Sequence, residues 1–283
     1  MASVTTFKET YRGIKESECL ISELGLTAEA IEDMLQQPEY QLMESVVIKG
    51  KKNLTIVEQV EKVTGYGEEM TNAFETLMRQ YGRIPTQKEF HVHCQKIAED
   101  FWIENQPNGI AFSDVVSSTI TNRNLRTYLS QVNEIHCLLL LKELFPQWGV
   151  YSSDDLDLLM GVDILVETEY KRLYLHLFKN SQYSFRAFRR KQYRGGMKNA
   201  EGKFIRYTRS FDGDKVLMYE GSAKSSSATT KFINGVPLFR KEWLKSQLQL
   251  FNDFPQFGEP LADTDKLDYF EQYLNTVKGV VVI

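Results

Sequence analysis

The segment Gly161–Asn180, GVDILVETEYKRLYLHLFKN, decides the fold that this sequence predicts. Its first part, GVDILV, is typical of a buried strand that carries one aspartate, Asp163. The charged residues that follow predict a turn, and LYLHLFKN then alternates large residues in the manner of a second strand. The segment therefore predicts a β-hairpin with a carboxylate on its first strand and His176 on its second.

Charge is distributed unevenly along the chain. The net charge at pH 7 is −4, yet residues 171–215 contain 13 Lys and Arg against 3 Asp and Glu, a local net charge of +10. The rest of the chain therefore carries −14. We call residues 171–215 the basic segment. Such a segment indicates an anionic partner, although a solvated basic face balanced by acidic neighbours in the fold would give the same count.

Composition and cysteine usage indicate the class of protein. With 42% hydrophobic and 25% charged residues, the 283-residue chain is typical of globular proteins. It has no apolar run near the roughly 18 residues of a transmembrane helix, and its start, MASVTTFKETYRG, is not typical of a secretory signal. The three cysteines, Cys19, Cys94 and Cys137, are widely spaced, as is usual for reduced thiols. We expect a cytoplasmic protein that has no membrane partner.

The N-terminal part of the chain is predicted to be helical. In LTAEAIEDMLQQ, Thr27 is placed to cap a helix whose apolar residues recur at helical spacing. Thr86 and Glu89 fit a capping box at the start of a later helix. The polar stretch IENQPNGIAFSD predicts a loop between two regions. We therefore expect a helical region over 1–108 and a mixed α/β domain over 109–283.

The rest of the chain mixes helices and strands in the prediction. Residues 119–145 are strongly apolar and predict a helix that stops at Pro146. KFIRYTRSF and KVLMYEG predict short strands separated by a turn at Asp212–Gly213. Pro237 is placed to begin the helix PLFRKEWLKSQLQLF. TDKLDYFEQYLNTV predicts a last helix, and we expect the apolar end, VVVI, to pair in a sheet or an interface.

The order of these features resembles a known family. A helix with an acidic residue, a strand ending in aspartate, a turn, and a strand followed by basic aromatic sequence occupy about residues 125–195. This order resembles the PD-(D/E)xK nuclease superfamily, to which many restriction and repair endonucleases belong. The resemblance implies an α+β fold, in which a helical N-terminal region precedes a mixed-sheet, restriction-endonuclease-like core with flanking helices.

The resemblance also implies a site for Mg²⁺, which carboxylate oxygens would hold and which would activate a water molecule. Asp163 matches the first carboxylate and Glu134 matches a helical glutamate, so these two residues are the metal candidates. On the second strand His176 takes the place of the second carboxylate and Phe178 that of the lysine. Lys179 comes one residue late, so it lies on the opposite face of an ideal strand unless a β-bulge near Phe178 turns it back. Asp163, Glu134, His176 and Lys179 are thus the catalytic candidates of a degenerate site.

A literal Glu-x-Lys sequence also occurs at Glu169–Lys171. It begins only six residues after Asp163, within the predicted turn. A carboxylate at that place lies past the end of the strand and away from Asp163. We therefore interpret this match as coincidental.

The stretch RAFRRKQYR follows the hairpin and mixes basic with aromatic residues. Its basic residues are the candidates for nucleic-acid binding through phosphate contacts: Arg186, Arg189, Arg190, Lys191 and Arg194. Phe185 and Phe188 have the spacing of one helix face, so an amphipathic helix docked through these rings would fit the same sequence. Both descriptions can hold at once.

Three functions remain open at this stage. The first is a nucleic-acid-associated protein that binds DNA or another polyanion and has weak or lost cleavage activity. The second is an active Mg²⁺-dependent DNA endonuclease. The third is a non-enzymatic protein of a phage or mobile element that binds a host defence nuclease complex, which the acidic remainder of the chain favours. A homo-oligomer also remains open.

Overall fold

The computed structural model describes residues 23–63, 70, 72–152, 162–168, 172–181, 195–198, 204–207, 214–221 and 227–253. It confirms an α+β protein in which helices precede a mixed sheet. The helices are α1 (Ala28–Gln36), α2 (Lys51–Lys62), α3 (Ala73–Tyr81), α4 (Gln87–Asn105), α5 (Asp114–Leu144) and α6 (Lys241–Asp253). The strands are β1 (Gly149–Tyr151), β2 (Ile164–Glu167), β3 (Arg172–Lys179), β4 (Gly195–Lys198), β5 (Phe204–Tyr207), β6 (Asp214–Tyr219), β7 (Thr230–Ile233) and β8 (Val236–Phe239).

Two compact units make up the chain. The first comprises Leu26–Ile135 and Phe232–Val236, and we call it the helical unit. The second contains His136–Lys231 and the described residues from Pro237 onward, and we call it the sheet unit. The boundary between the two units falls inside α5, between Ile135 and His136. The boundary predicted from the sequence is at residue 108. The division into residues 1–108 and 109–283 stays a prediction.

Local sequence signals set the helix ends in the helical unit. Thr27 caps α1, because its hydroxyl accepts a hydrogen bond from the Ala30 N–H at 3.0 Å. The predicted capping box of α4 is confirmed: the Thr86 hydroxyl accepts from the Glu89 N–H at 3.2 Å, and the Glu89 carboxylate accepts from the Thr86 N–H at 2.7 Å. Each side chain thus satisfies a backbone donor that the first turn of a helix leaves open.

The capping carboxylate of α4 also holds an arginine. Arg83 donates to both oxygens of Glu89, at 2.7 and 3.0 Å, in the two-pronged geometry that suits a guanidinium and a carboxylate. Arg83 also donates to the carbonyl oxygen of Ile84, which accepts from the Tyr40 hydroxyl as well, at 2.8 Å. The hydrogen bond from Arg83 lowers the pKa of Glu89. One glutamate therefore fixes the start of α4 and the loop before it.

One core cluster of the helical unit lies between α2, α4 and α5. It contains these fully buried residues: Val60, Ala98, Trp102, Val116 and Ile120. The indole N–H of Trp102 donates to the carbonyl oxygen of Ile110 at 2.9 Å, so its one polar atom is satisfied. Burying one large apolar side chain of this kind contributes about 1.5–3 kcal/mol, which makes this cluster a main source of stability for the unit.

The sheet unit contains a four-stranded mixed sheet in the order β1-β2-β3-β6. Strands β1, β2 and β3 form an antiparallel meander, which confirms the predicted hairpin of β2 and β3. Strand β6 then pairs with β3 in parallel. Strands β4 and β5 form a separate antiparallel pair. Strands β7 and β8 form another two-stranded sheet. All four residues of β2 are buried, as a central strand requires.

Several details correct the expectations from sequence. Pro237 lies inside β8 and does not begin a helix; α6 begins at Lys241. A two-stranded sheet can accept a proline, because each strand has one edge outside the ladder and needs no N–H there. The long helix α5 begins at Asp114, earlier than residue 119. The short strand β1 was not predicted, and β5 and β6 pair with other strands and not with each other.

The turn between β7 and β8 is formed by Asn234 and Gly235. Both residues have positive φ, +46° and +85°, which a two-residue hairpin turn requires and which Asn and Gly tolerate best. The Asn234 amide donates to the carbonyl oxygens of Leu35 and Gln37, at 2.8 and 3.1 Å. The turn thereby satisfies carbonyl groups at the C-terminal end of α1 that the helix cannot satisfy itself.

Some predictions concern residues outside the described ranges. These are the Glu169–Lys171 sequence, the stretch RAFRRKQYR, the turn at Asp212–Gly213, the helix TDKLDYFEQYLNTV and the end VVVI. Within the described part of the chain, no helix has the length and apolar character needed to cross a membrane.

Candidate functional site

Asp163 stands at the entrance to β2 and not at the end of a strand, which corrects the order expected from the sequence. Three of its groups are hydrogen-bonded. Its N–H donates to the Leu175 carbonyl at 3.0 Å, its carbonyl accepts from the Ser152 hydroxyl at 2.9 Å, and its carboxylate accepts from the Leu177 N–H at 2.6 Å. The side chain therefore ties the start of β2 to the backbone of β3.

The ladder of β2 and β3 ends at the pair Ile164–Leu175, and the Asp163 N–H donates to the carbonyl oxygen of that same Leu175. His176 is the next residue of β3, beyond the end of this ladder. The His176 side chain is 2% exposed. Phe178 follows on the same face, with its ring centroid 6.4 Å from that of the imidazole. Strand β3 thus presents histidine and phenylalanine where the resemblance implies a carboxylate and a lysine.

Lys179 lies on the other face of β3. The pairing of β3 with β6 runs without interruption from Tyr174, opposite Asp214, to Lys179, opposite Tyr219. No bulge therefore turns Lys179 toward Asp163 in this stretch. The ammonium end of Lys179 instead lies against Gly221, where a Cβ atom would overlap its last carbons. Lys179 is exposed, and the described structure does not bring it together with Asp163 and His176.

The predicted helical carboxylate, Glu134, lies half-buried on α5 and belongs to the helical unit. Asp163, His176 and Lys179 belong to the sheet unit. The role of Glu134 as a metal ligand therefore stays a prediction.

A second carboxylate of the sheet, Glu167, was overlooked in the sequence. It is 4% exposed and lies on the same face of β2 as Asp163, opposite Arg172. At about 3.3 Å per residue, the two carboxylates are separated by roughly 13 Å along the strand, too far to share one cation. The sequence does contain a signal for Glu167, because this glutamate directly follows the apolar residues ILV of the predicted strand.

The described donor set does not fit Mg²⁺. This ion requires several oxygen ligands in near-octahedral geometry. Asp163 offers one carboxylate, which already accepts a hydrogen bond from the Leu177 N–H. Among the described residues, no three His, Cys, Asp or Glu side chains are grouped so that they could hold a metal ion.

The cysteines do not add a nucleophile to the described site. Cys94 and Cys137 are both buried. Burial raises the pKa of the Cys94 thiol to about 12, so this residue is protonated at neutral pH. Because the thiolate is the reactive form, Cys94 acts as a small apolar core residue.

The basic segment contains β3, the β4–β5 pair and the first residues of β6. Its five candidates for phosphate contact lie outside the described residues: Arg186, Arg189, Arg190, Lys191 and Arg194. Their role stays a prediction that rests on the sequence.

Taken together, fold and site define an α+β protein whose mixed sheet carries a half-buried aspartate at the start of β2 and a buried histidine on β3. No protein-family model, no curated protein and no solved structure matches this chain. The resemblance to PD-(D/E)xK nucleases accordingly stays a prediction that rests on the residues and the strand order given above.

Proposed function

We propose that this chain is a cytoplasmic, nucleic-acid-associated protein, built on a scaffold similar to PD-(D/E)xK nucleases, that does not cleave phosphodiester bonds. The observation that carries the proposal is the set of side chains on β3 beside Asp163. His176 and Phe178 share one face of β3, and Lys179 lies on the other. The Asp163 carboxylate accepts a hydrogen bond from the Leu177 N–H.

The proposed loss of cleavage follows from what that chemistry requires. A metal-dependent nuclease needs a cation to activate water and to stabilise the negative charge that develops on the phosphate. Asp163 is occupied as a structural acceptor for the Leu177 N–H. The aromatic ring of Phe178 cannot orient a water molecule or offset charge as a lysine does. We therefore expect the scaffold to retain binding without catalysis.

The proposed binding follows from the charge of the basic segment. Residues 171–215 carry +10, while the segment Leu26–Ile135 of the helical unit has 10 Lys and Arg against 16 Asp and Glu, a net charge of −6. A polyanion is attracted to the first and repelled by the second. Phosphate contacts release counterions, so such binding weakens as salt concentration rises.

A pair of triple variants tests the binding. Replacing Arg189, Arg190 and Lys191 by alanine should lower DNA affinity and reduce the slope of log affinity against log salt by roughly two to three units. The matched control replaces Lys49, Lys51 and Lys52, three exposed lysines of the helical unit, and removes the same charge. Fluorescence anisotropy with a labelled duplex measures both. Equal effects of the two triple variants, or no salt-dependent binding by the unaltered protein, would refute the proposal.

A cleavage assay tests the proposal that the protein does not cleave phosphodiester bonds. Supercoiled plasmid should stay intact when it is incubated with the protein and Mg²⁺ or Mn²⁺. If the protein nicks the plasmid and Asp163→Asn abolishes the nicking, the protein is an active nuclease and this part of the proposal is wrong.

A second candidate function is that of a protein that binds and blocks a host defence nuclease complex. The acidic helical unit favours it, since a surface rich in carboxylates can compete for a DNA-binding groove. The anisotropy experiment separates the two functions. An inhibitor of this kind would bind no DNA and would co-purify with a nuclease in a stable complex.

A further inference from the structure

The outward face of α4 exposes two large apolar residues. Val92 is 60% exposed and Ile103 is 56% exposed. Ile103 follows Val92 by 11 residues, and at about 100° per residue this spacing returns to the same side of the helix, about 16 Å further along its axis. Single exposed apolar residues are common on protein surfaces, so this pair alone indicates no function.

Two opposite charges lie between these apolar residues on the same side of α4. Lys96 and Glu99 complete the series Val92, Lys96, Glu99, Ile103, with steps of four, three and four residues. This alternation of steps is the spacing of a helix seam that packs against another helix. Gln95 donates to the Glu99 carboxylate at 2.7 Å, which fixes the position of this half-buried side chain.

The series is complementary to itself when it is read in the opposite direction. If α4 packs antiparallel against α4 of a second copy, Val92 meets Ile103 of that copy, and Lys96 meets Glu99. A two-fold axis between residues 97 and 98 repeats each contact, giving two apolar pairs and two opposite-charge pairs. Contact between identical surfaces of this kind is what a symmetric homodimer requires.

We propose that α4 is the contact surface of a homodimer, in which the Val92–Ile103 face packs antiparallel against the same face of a second copy. The seam spans only about three helical turns. We therefore expect it to bury less surface than the roughly 1,200 Å² that a stable interface buries. The dimer is therefore weak and depends on protein concentration. This proposal is independent of nucleic-acid binding.

Charge reversal at the centre of the seam gives the decisive experiment. Lys96→Glu and Glu99→Lys each place like charges opposite each other, so each should weaken self-association about tenfold or more in sedimentation velocity. The double variant Lys96→Glu/Glu99→Lys restores opposite charges and should dimerise again. An equimolar mixture of the two single variants should also associate, since each supplies the charge that the other lacks.

Two further variants show whether the face itself is responsible. Val92→Asp should abolish association, whereas Leu54→Asp, at a residue of α2 that is 58% exposed, should leave it unchanged. Circular dichroism at the concentrations used verifies that each variant is folded. The proposal is overturned if the unaltered protein is monomeric at all concentrations, if Val92→Asp still dimerises, or if the charge-swapped double variant fails to recover.

Discussion

Removing the carboxylate of Asp163 should destabilise the sheet unit. The carboxylate accepts the Leu177 N–H at 2.6 Å, a short distance typical of a charge-assisted hydrogen bond. Such a bond contributes about 1.5–3 kcal/mol, and alanine also leaves the Leu177 N–H without this acceptor. We therefore expect Asp163→Ala to lower the free energy of unfolding by about 2–3 kcal/mol. Asparagine keeps a neutral acceptor, so Asp163→Asn should lose only about 1 kcal/mol.

Urea unfolding measures these differences, and amide hydrogen exchange at Leu177 locates them. The control is Asp33→Ala, at an exposed carboxylate of α1, which should change stability by less than about 0.5 kcal/mol. Two results together would contradict this reasoning. The Asp163→Ala variant would be as stable as the unaltered protein, and Mg²⁺ or Mn²⁺ would raise the melting temperature of the unaltered protein but not that of the variant. That outcome would make Asp163 a metal ligand, and its structural role as described here would be wrong.

Three further predictions concern the helical unit. Glu89→Gln should lower stability by about 1–2 kcal/mol at pH 7, because it removes the negative charge that pairs with Arg83 and leaves only a neutral acceptor. Since the pKa of Glu89 is lowered in the folded protein, this contribution is present above the unfolded value of about 4.3 and is lost as pH falls through the folded value. Urea unfolding at pH 7 and at successively lower pH should therefore show the two proteins converging in acid. Asn234→Ala should cost about 1–2 kcal/mol, through two lost hydrogen bonds and an unfavourable positive φ, whereas Asn234→Gly should cost less. Cys94 should resist alkylation by iodoacetamide at pH 8 in the native protein and react in urea, and equal rates in both would contradict its burial.

Features that depend on neighbouring residues could be predicted from the sequence. The capping box of Thr86 and Glu89 and the Thr27 cap were confirmed, because the groups involved lie within three residues of each other. The hairpin of β2 and β3 was also confirmed, and the period of two along a strand correctly separated Lys179 from His176. These interactions have a local signature in composition and spacing.

Other features depend on residues that are distant in the sequence. The parallel pairing of β3 with β6 joins Tyr174 to Asp214, and no local pattern specifies which strand lies beside which. The three residues of β1 are too few to show a period. Pro237 resembled a helix start because proline favours that position, but the Asn234–Gly235 turn placed it in a strand. The structural role of Asp163 was not foreseen, since its acceptor function depends on the exact hairpin register.

The contact between Lys179 and Gly221 has an evolutionary consequence. The lysine can lie where it does only because position 221 has no side chain, and any larger residue there would displace the end of the lysine and not the backbone. The two positions are therefore expected to change together as related chains diverge. A lineage that gained a side chain at position 221 would move this positive charge without altering the strand that carries it.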